Sequence, residues 1–339
     1  MAGVRYELGE YLHVAMQDIV IVPNATHAVN IIARSLKLSP GDEILTSDHE
    51  YGACDNTWQF ICKQTGASYI RQEIPLPITS NQEFIDQLWQ GVNPRTRLVF
   101  LSHITSATAQ LFPIQQVCER ARNEGILTFI DGAHAPGQVV VDITRIGADF
   151  YTGNAHKWMM SPKGAGFLFA RPEVQDMIEP LVVGWGYSAD VETTTGSHFI
   201  DLLQWSGTHD PSAALSIPAA LQFMREHNWE EVRQNCNRLL RKYLDSLSEI
   251  TGLPSIYHSQ SATAWQPLPL QMGIVALPEQ INAKKLKLQL YETYKIEIPV
   301  IEWNGNPYLR LSIQGYNNEY ELEQLIQALR DLLAEQEKV

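Results

Sequence analysis

Leu127-Thr-Phe-Ile-Asp131-Gly-Ala-His134-Ala-Pro136 begins as an uninterrupted apolar strand and ends on a carboxylate followed by two small residues. A strand that is apolar on both faces is buried on both sides, as in a parallel sheet covered by helices. Ligands of such sheets bind beyond the carboxyl ends of the strands, so Asp131 stands where a site is expected. An unpaired carboxylate there carries a heavy desolvation cost. Asp131 therefore either accepts hydrogen bonds from neighbouring loop amides or faces a cation, and the segment alone leaves both open.

Outward from this strand, short β-branched runs alternate with helix-length stretches. Strands are expected at 19–22, 43–47, 68–74, 98–102, 127–131, 149–153 and 166–170, with helices at 26–38, 53–65, 81–90 and 113–124. This rhythm predicts a three-layer αβα large domain around a mostly parallel seven-stranded sheet. Residues 179–218, rich in Gly, Thr, Ser and Trp, lack periodicity and read as a long loop. Beyond them Val232, Cys236, Leu239, Leu240, Tyr243, Leu244 and Leu247 recur at helical spacing. Strand candidates at 270–276, 297–301 and 308–313, with helices at 283–294 and 318–333, suggest a smaller C-terminal α+β domain. The expected domains are 1–218 and 219–339.

The chain has 339 residues, 45% hydrophobic and 19% charged, which excludes a disordered or collagen-like protein. With 25 Lys+Arg against 38 Asp+Glu, the net charge of -13 disfavours nucleic acid and anionic membranes. The expected partner is a small molecule or another subunit. Cys54, Cys62, Cys118 and Cys236 form no C-x-x-C pair, and the histidines lack ligand spacing, so neither a disulfide framework nor a metal site is expected. No signal-peptide pattern and no bilayer-length apolar run is present, and a cytoplasmic location is expected.

Further chemistry follows Asp131. Lys157 comes after a probable strand and is followed by Trp158, Met159 and Met160. Apolar surroundings lower a lysine pKa from about 10.4 and free the amine to attack a carbonyl; a snorkelling surface lysine is the alternative. Pro23-Asn-Ala25-Thr26-His27 joins a strand to a helix, so the amides of Ala25 and Thr26 and the Thr26 hydroxyl suit a phosphate, or Asn24 or Thr26 simply caps the helix. Ser206-Gly207-Thr208-His-Asp210 offers a second turn with a donor hydroxyl. Arg310, between Leu309 and Leu311, is either solvated or positioned to take a carboxylate through both guanidinium arms.

Together, Asn24-Ala-Thr26, Asp131-Gly-Ala-His134, His156-Lys157 and Arg310-Leu-Ser-Ile-Gln-Gly-Tyr-Asn317 resemble the fold-type-I pyridoxal-phosphate enzymes of aminotransferase class V, over residues 18–333. Within the class, Ser102-His-Ile-Thr-Ser106, Gly207-Thr-His-Asp-Pro-Ser212 and Ile298-Pro-Val-Ile301 are similar to the isopenicillin N epimerase-like branch; cysteine desulfurases and cyst(e)ine C–S lyases are similar cousins. The resemblance implies the pyridoxal-phosphate-dependent transferase fold, a pyridoxal 5'-phosphate cofactor and a homodimer acting at the Cα of an amino acid or peptide. It implies that Lys157 bonds the cofactor aldehyde and moves the Cα proton, that Asp131 pairs with the pyridinium nitrogen and that His134 meets the ring hydroxyl. Ala25, Thr26, Asn154 and His156 match the phosphate cradle, and Gly207 and Thr208 are implied to reach the partner subunit's phosphate. Tyr51 matches the aromatic side chain on the ring face and is a candidate second acid, Ser106 takes a position often held by asparagine beside the ring, and Arg310 would hold the substrate carboxylate. Residues 297–306 lack the cysteine that desulfurases place before this arginine, so a persulfide mechanism is not expected. Relatives carry a longer N-terminal arm, whereas the match here begins almost at residue 1. An epimerase-like enzyme is the expected function, with a β-eliminating C–S lyase or desulfurase-like enzyme as the alternative.

Overall fold

A computed structural model describes residues 1–188, 195–257 and 270–336, which fall into two compact units. The first comprises Met1–Ile74, Asn81–Ser106 and Leu111–Glu226. Its strands are β1 (Ile19–Val22), β2 (Glu43–Ser47), β3 (Ser68–Gln72), β4 (Thr96–Ser102), β5 (Leu127–Gly132), β6 (Phe150–Asn154) and β7 (Gly166–Ala170). They form the expected seven-stranded sheet in the order β1-β7-β6-β5-β4-β2-β3. The pairs from β3 through β2, β4 and β5 to β6 are parallel, and β7 is antiparallel to both β6 and β1. Two reversals return β1 to the direction of β6. The carboxyl ends of β1, β2, β4, β5 and β6 therefore share one edge.

The central strands are apolar because helices cover both faces. Phe100, Phe129 and Phe150 lie opposite one another on β4, β5 and β6. Their rings meet at centroid distances of 5.5 and 5.9 Å, and Trp58, from the helix Gly52–Thr65, caps the row 5.5 Å from Phe100. Edge-on rings in one register pin these strands against slippage, because a one-residue shift would turn every ring to the opposite face. The helix Ala25–Ser35 adds Ala28, Val29 and Ile32 to this core.

The second unit joins Pro75–Ser80 and Ala107–Gln110 to the described residues from His227 onward. Strands β8 (Met272–Ala276), β9 (Val300–Trp303) and β10 (Asn306–Ser312) form an antiparallel sheet in the order β8-β10-β9. The helix Trp229–Thr251 buries Cys236, Leu240, Tyr243, Leu244 and Leu247 in the core that contains Leu309 and Leu311. A Cβ on Gly273 would lie 2.7 Å from Leu244 Cδ1, so that glycine permits the close approach of helix and sheet.

Four expectations about elements need correction. The third strand stops at Gln72 rather than residue 74, because the Asp48 carboxylate takes the Ile74 N–H that a ladder would need. The last hairpin starts at Val300 rather than 297: Pro299 has no N–H to give, and the positive-φ pair Asn304-Gly305 makes a tight turn that sets Asn306 opposite Trp303. Residues 179–218 are not one loop. They include the helix His198–Gln204, capped by the Ser197 hydroxyl and burying Phe199, Ile200, Leu202 and Leu203. The helix Ala2–Leu12 was not expected at all, although Val4, Leu8 and Leu12 recur every four residues and are buried.

Gly166 of β7 ties this scaffold to the strand-edge loops, since a Cβ there would lie 2.8 Å from the Asn24 backbone. Gly166→Ala is expected to lower stability by about 1–3 kcal/mol through this overpacking, measured by chemical denaturation against the parent chain.

Candidate active site

At the shared edge, residues far apart in the chain converge. Ala25, Thr26, Tyr51, Ser106, Asp131, His134, Asn154 and Lys157 line one pocket, together with Ser102, Ile104 and Ala133. Each arrives by the same device: Ala25 and Thr26 follow β1, Tyr51 follows β2, Ser102 ends β4, Asp131 lies at the end of β5 and Asn154 ends β6.

Asp131 is buried to 3% exposure. Its Oδ1 accepts from the Ala133 N–H at 2.8 Å, and the Cys54 thiol donates weakly to Oδ2 at 3.6 Å. Both alternatives considered from the segment therefore meet here, because one loop amide is present but, among the described residues, no basic side chain lies within ion-pair distance. Burial pushes the Asp131 pKa up, and attraction to Lys157 and the Ala133 amide pull it back. The site thus presents a carboxylate that a ligand cation would satisfy.

Lys157 lies three residues beyond β6, half-buried, with Nζ 3.0 Å from His134 Nε2. The Trp158 indole N–H donates to His134 Nδ1 at 3.2 Å. The flank of Lys157 is thus less uniformly apolar than its sequence suggests: Met159 is fully buried, Met160 only partly, and Trp158 contributes a polar contact.

The helix Ala25–Ser35 presents its first turn to the same pocket. Asn24 caps it by accepting from the His27 N–H at 2.9 Å, and Asn154 Oδ1 accepts from the Ala25 N–H at 2.9 Å. The capping role and the ligand-facing position thus coexist: Asn24 serves the helix while Ala25 and Thr26 line the pocket. The Ala25 N–H is thus taken, and the rest of the first turn, with half-buried Thr26, keeps the dipole that favours an anion.

Behind the pocket wall sits Glu50, a carboxylate that the motifs did not single out. It accepts from the Ser102 N–H at 2.9 Å, the Ser102 hydroxyl at 2.6 Å and the Ser47 hydroxyl at 2.8 Å. Burial pushes its pKa up to about 8 despite these bonds, and Asp131 and Asp55 add to the rise. Ser102, at the end of an expected strand, was accessible to the same reasoning that selected Asp131. Glu50 and the indole contact of Trp158 have no local signal, because both depend on partners distant in sequence.

Four further candidates lie outside this pocket lining. His156 turns its Nδ1 to the Ala165 carbonyl at 2.9 Å, and burial lowers its pKa. Gly207, at φ 115, and Thr208 lie in the turn after the helix His198–Gln204. Arg310 is half-buried on β10 of the second unit, and its burial lowers its pKa. Among the described residues no cluster of His, Cys, Asp and Glu could hold a metal, and no helix is long and apolar enough to cross a membrane.

An acid, an amine and a helix start around one small cavity suit a ligand that carries a cation, an anion and a carbonyl carbon. A planar pyridinium aldehyde phosphate meets that description, so the donor set fits such a group.

Comparisons with known proteins agree. The family model for aminotransferase class V matches residues 1–325. The chain is 32% identical to an isopenicillin N epimerase of Amycolatopsis lactamdurans over 97% of its length and 84% of that protein. It is 28% identical to a probable chloroplastic L-cysteine desulfhydrase of Arabidopsis thaliana, over 93% of the chain and 70% of that protein. Among solved structures, the cystine C–S lyase C-DES superposes with a TM-score of 0.81 at 24% identity, covering 97% of this chain and 86% of that one, which establishes the shared fold. The chain belongs to aminotransferase class V, an enzyme family that works with pyridoxal 5'-phosphate.

Proposed function

We propose that the protein labilises the Cα proton of an amino acid or small peptide and returns it with altered stereochemistry, as an isopenicillin N epimerase-like enzyme. The observation that carries this reading is the buried Asp131 carboxylate, which forms no ion pair among the described residues, is attracted by Lys157 and lines the same pocket as its amine. The 32% identity to the Amycolatopsis epimerase supports the choice of reaction. Pyridoxal phosphate, when bound, supplies an aldehyde for the substrate amine and a pyridinium ring that draws electrons from Cα.

The residues divide the work by their chemistry. Asp131 holds the proton on the ring nitrogen, a charge partnership strengthened by burial. Thr26, Ala25, Asn154 and His156 bind the phosphate at the helix start, where backbone dipoles favour the anion. Gly207 and Thr208 serve the partner subunit's phosphate in a homodimer. His134 and Ser106 orient the ring through its polar substituents, and Tyr51 covers one ring face. Lys157 removes the Cα proton on its own side, and Tyr51 returns a proton on the other. Arg310 takes the substrate carboxylate, because its planar guanidinium matches two carboxylate oxygens at once. This reading assigns cofactor chemistry to residues 1–218 and places the protein in the cytoplasm.

A second reading, β-elimination from cysteine or cystine, is favoured by the likeness to the Arabidopsis desulfhydrase. It needs every cofactor contact of the first and differs in the leaving group. The absence of cysteine from residues 297–306 weighs against a persulfide route.

Incubating the protein, loaded with pyridoxal phosphate, with single-enantiomer amino acids and peptides in deuterated water separates the two. Deuterium at Cα with loss of chirality is expected; pyruvate and sulfide from cystine, without scrambling, would replace the first reading by the second. Borohydride reduction should fix the cofactor on Lys157. The label should vanish in Lys157→Ala and persist in Lys163→Ala, as peptide mass mapping reads directly. Glu50 sets a pH dependence. Its folded pKa of about 8 lies above its ordinary 4.5, so its favourable contribution is complete below about 4.5 and is lost as pH rises through about 8. The melting temperature of Glu50→Gln relative to the parent should therefore climb between about pH 5 and pH 9, as scanning calorimetry would show.

A further inference from the structure

We propose that Trp158 is a positioning residue that fixes the His134 proton on Nε2 and thereby holds the Lys157 side chain as a free amine. The inference rests on the reading that Lys157 is the reactive amine of the site.

The argument follows from which atoms can donate. An indole N–H is a donor only, so His134 Nδ1, 3.2 Å from Trp158 Nε1, must present its lone pair. A neutral imidazole then carries its single proton on Nε2, the atom 3.0 Å from Lys157 Nζ. A free amine meets that N–H with its lone pair and completes a chain running from Trp158 through His134 to Lys157. An ammonium has no lone pair and would set donor against donor. Moving the imidazole proton to Nδ1 relieves that clash only by turning it against the indole N–H. The charged lysine therefore loses one hydrogen bond in either arrangement. Trp158 is 7% exposed and His134 8%, so water is poorly placed to repair the loss.

The geometry is held from both sides. Gly137 has φ +93, and a Cβ there would lie 2.4 Å from the Trp158 carbonyl carbon, so the 134–138 turn packs directly on the Trp158 backbone. The fully buried Gln138 donates from Nε2 to the His134 carbonyl at 2.7 Å. Among the described residues, titratable groups near Lys157 include Asp131 at the end of β5, which attracts the charged amine, His156 beside it, and Tyr51, which lines the same pocket. All three are unchanged in the variants below, so a difference between variants isolates the indole contact.

The test is competitive acetylation of the full chain, free of cofactor, with acetic anhydride across a pH series. The labelling of Lys157 is read by mass spectrometry against exposed Lys163. Replacing Trp158 with its benzothiophene isostere removes the N–H and keeps the volume, whereas Trp158→Phe removes both. Both should label Lys157 about tenfold more slowly on the acid side of the profile, a midpoint about one pH unit higher, equivalent to about 1.4 kcal/mol. In a His134→Asn background the isostere should add no further shift. An isostere that follows the parent curve overturns the proposal, whatever Trp158→Phe does. Borohydride trapping of each protein after loading with pyridoxal phosphate keeps the two ideas apart. Trapping at Lys157 with an unshifted acetylation curve defeats the indole relay alone, whereas no trapping in the parent defeats the cofactor reading.

Discussion

A desolvated carboxylate needs a positive partner, and much of this molecule is arranged around one such need. Asp131 lies at the end of a strand buried by helices on both sheet faces, where water cannot solvate it well. The Ala133 amide and the Cys54 thiol satisfy part of its hydrogen-bonding capacity and none of its charge. Glu50, close enough to raise the electrostatic cost further, is itself pushed towards its neutral form. With Glu50 protonated, negative charge at this edge is concentrated on Asp131. A second ionised carboxylate beside it would divide the attraction for a cation.

The sheet makes this partnership possible by direction alone. Six of the seven strands point the same way, so positions 25, 51, 102, 131 and 154, which follow or end five of them, arrive at a common edge. The row of Phe100, Phe129 and Phe150 holds the three central strands in one register, and the site inherits its precision from that packing. Where the chain must come closer than a Cβ allows, glycine appears. Gly166 lets the Asn24 turn lie against β7, and Gly137 lets the His134 turn lie against Trp158. One of these approaches lies at the helix start and the other beside the amine.

Legibility in the sequence followed the range of the interaction. The buried strands were readable because their apolar runs need no partner to be recognised, and Asp131 followed from the strand-end rule. The helix Ala2–Leu12 was readable too, from Val4, Leu8 and Leu12, but its weak amphipathic contrast let it pass. The helix His198–Gln204 was harder, since seven residues give barely two turns of periodicity. The start of β9 depended on a turn at Asn304-Gly305 acting together with Pro299, and neither residue specifies the strand by itself.

Residue types, their spacing and the alternation of strand and helix were enough to determine the covered sheet, the acid at its edge and the lysine beyond the next strand. Tertiary structure alone decided how these groups are charged and paired. Glu50 titrates near 8 because folding buries it and brings Asp131 near, against the opposing pull of its bonds to Ser102 and Ser47 from distant positions. Lys157 and Trp158 both reach His134 because a glycine lets one turn lie on another. Hydropathy patterns are local and survive in one dimension, whereas proton positions and electrostatic coupling depend on distances of a few ångströms that exist only once the chain has folded.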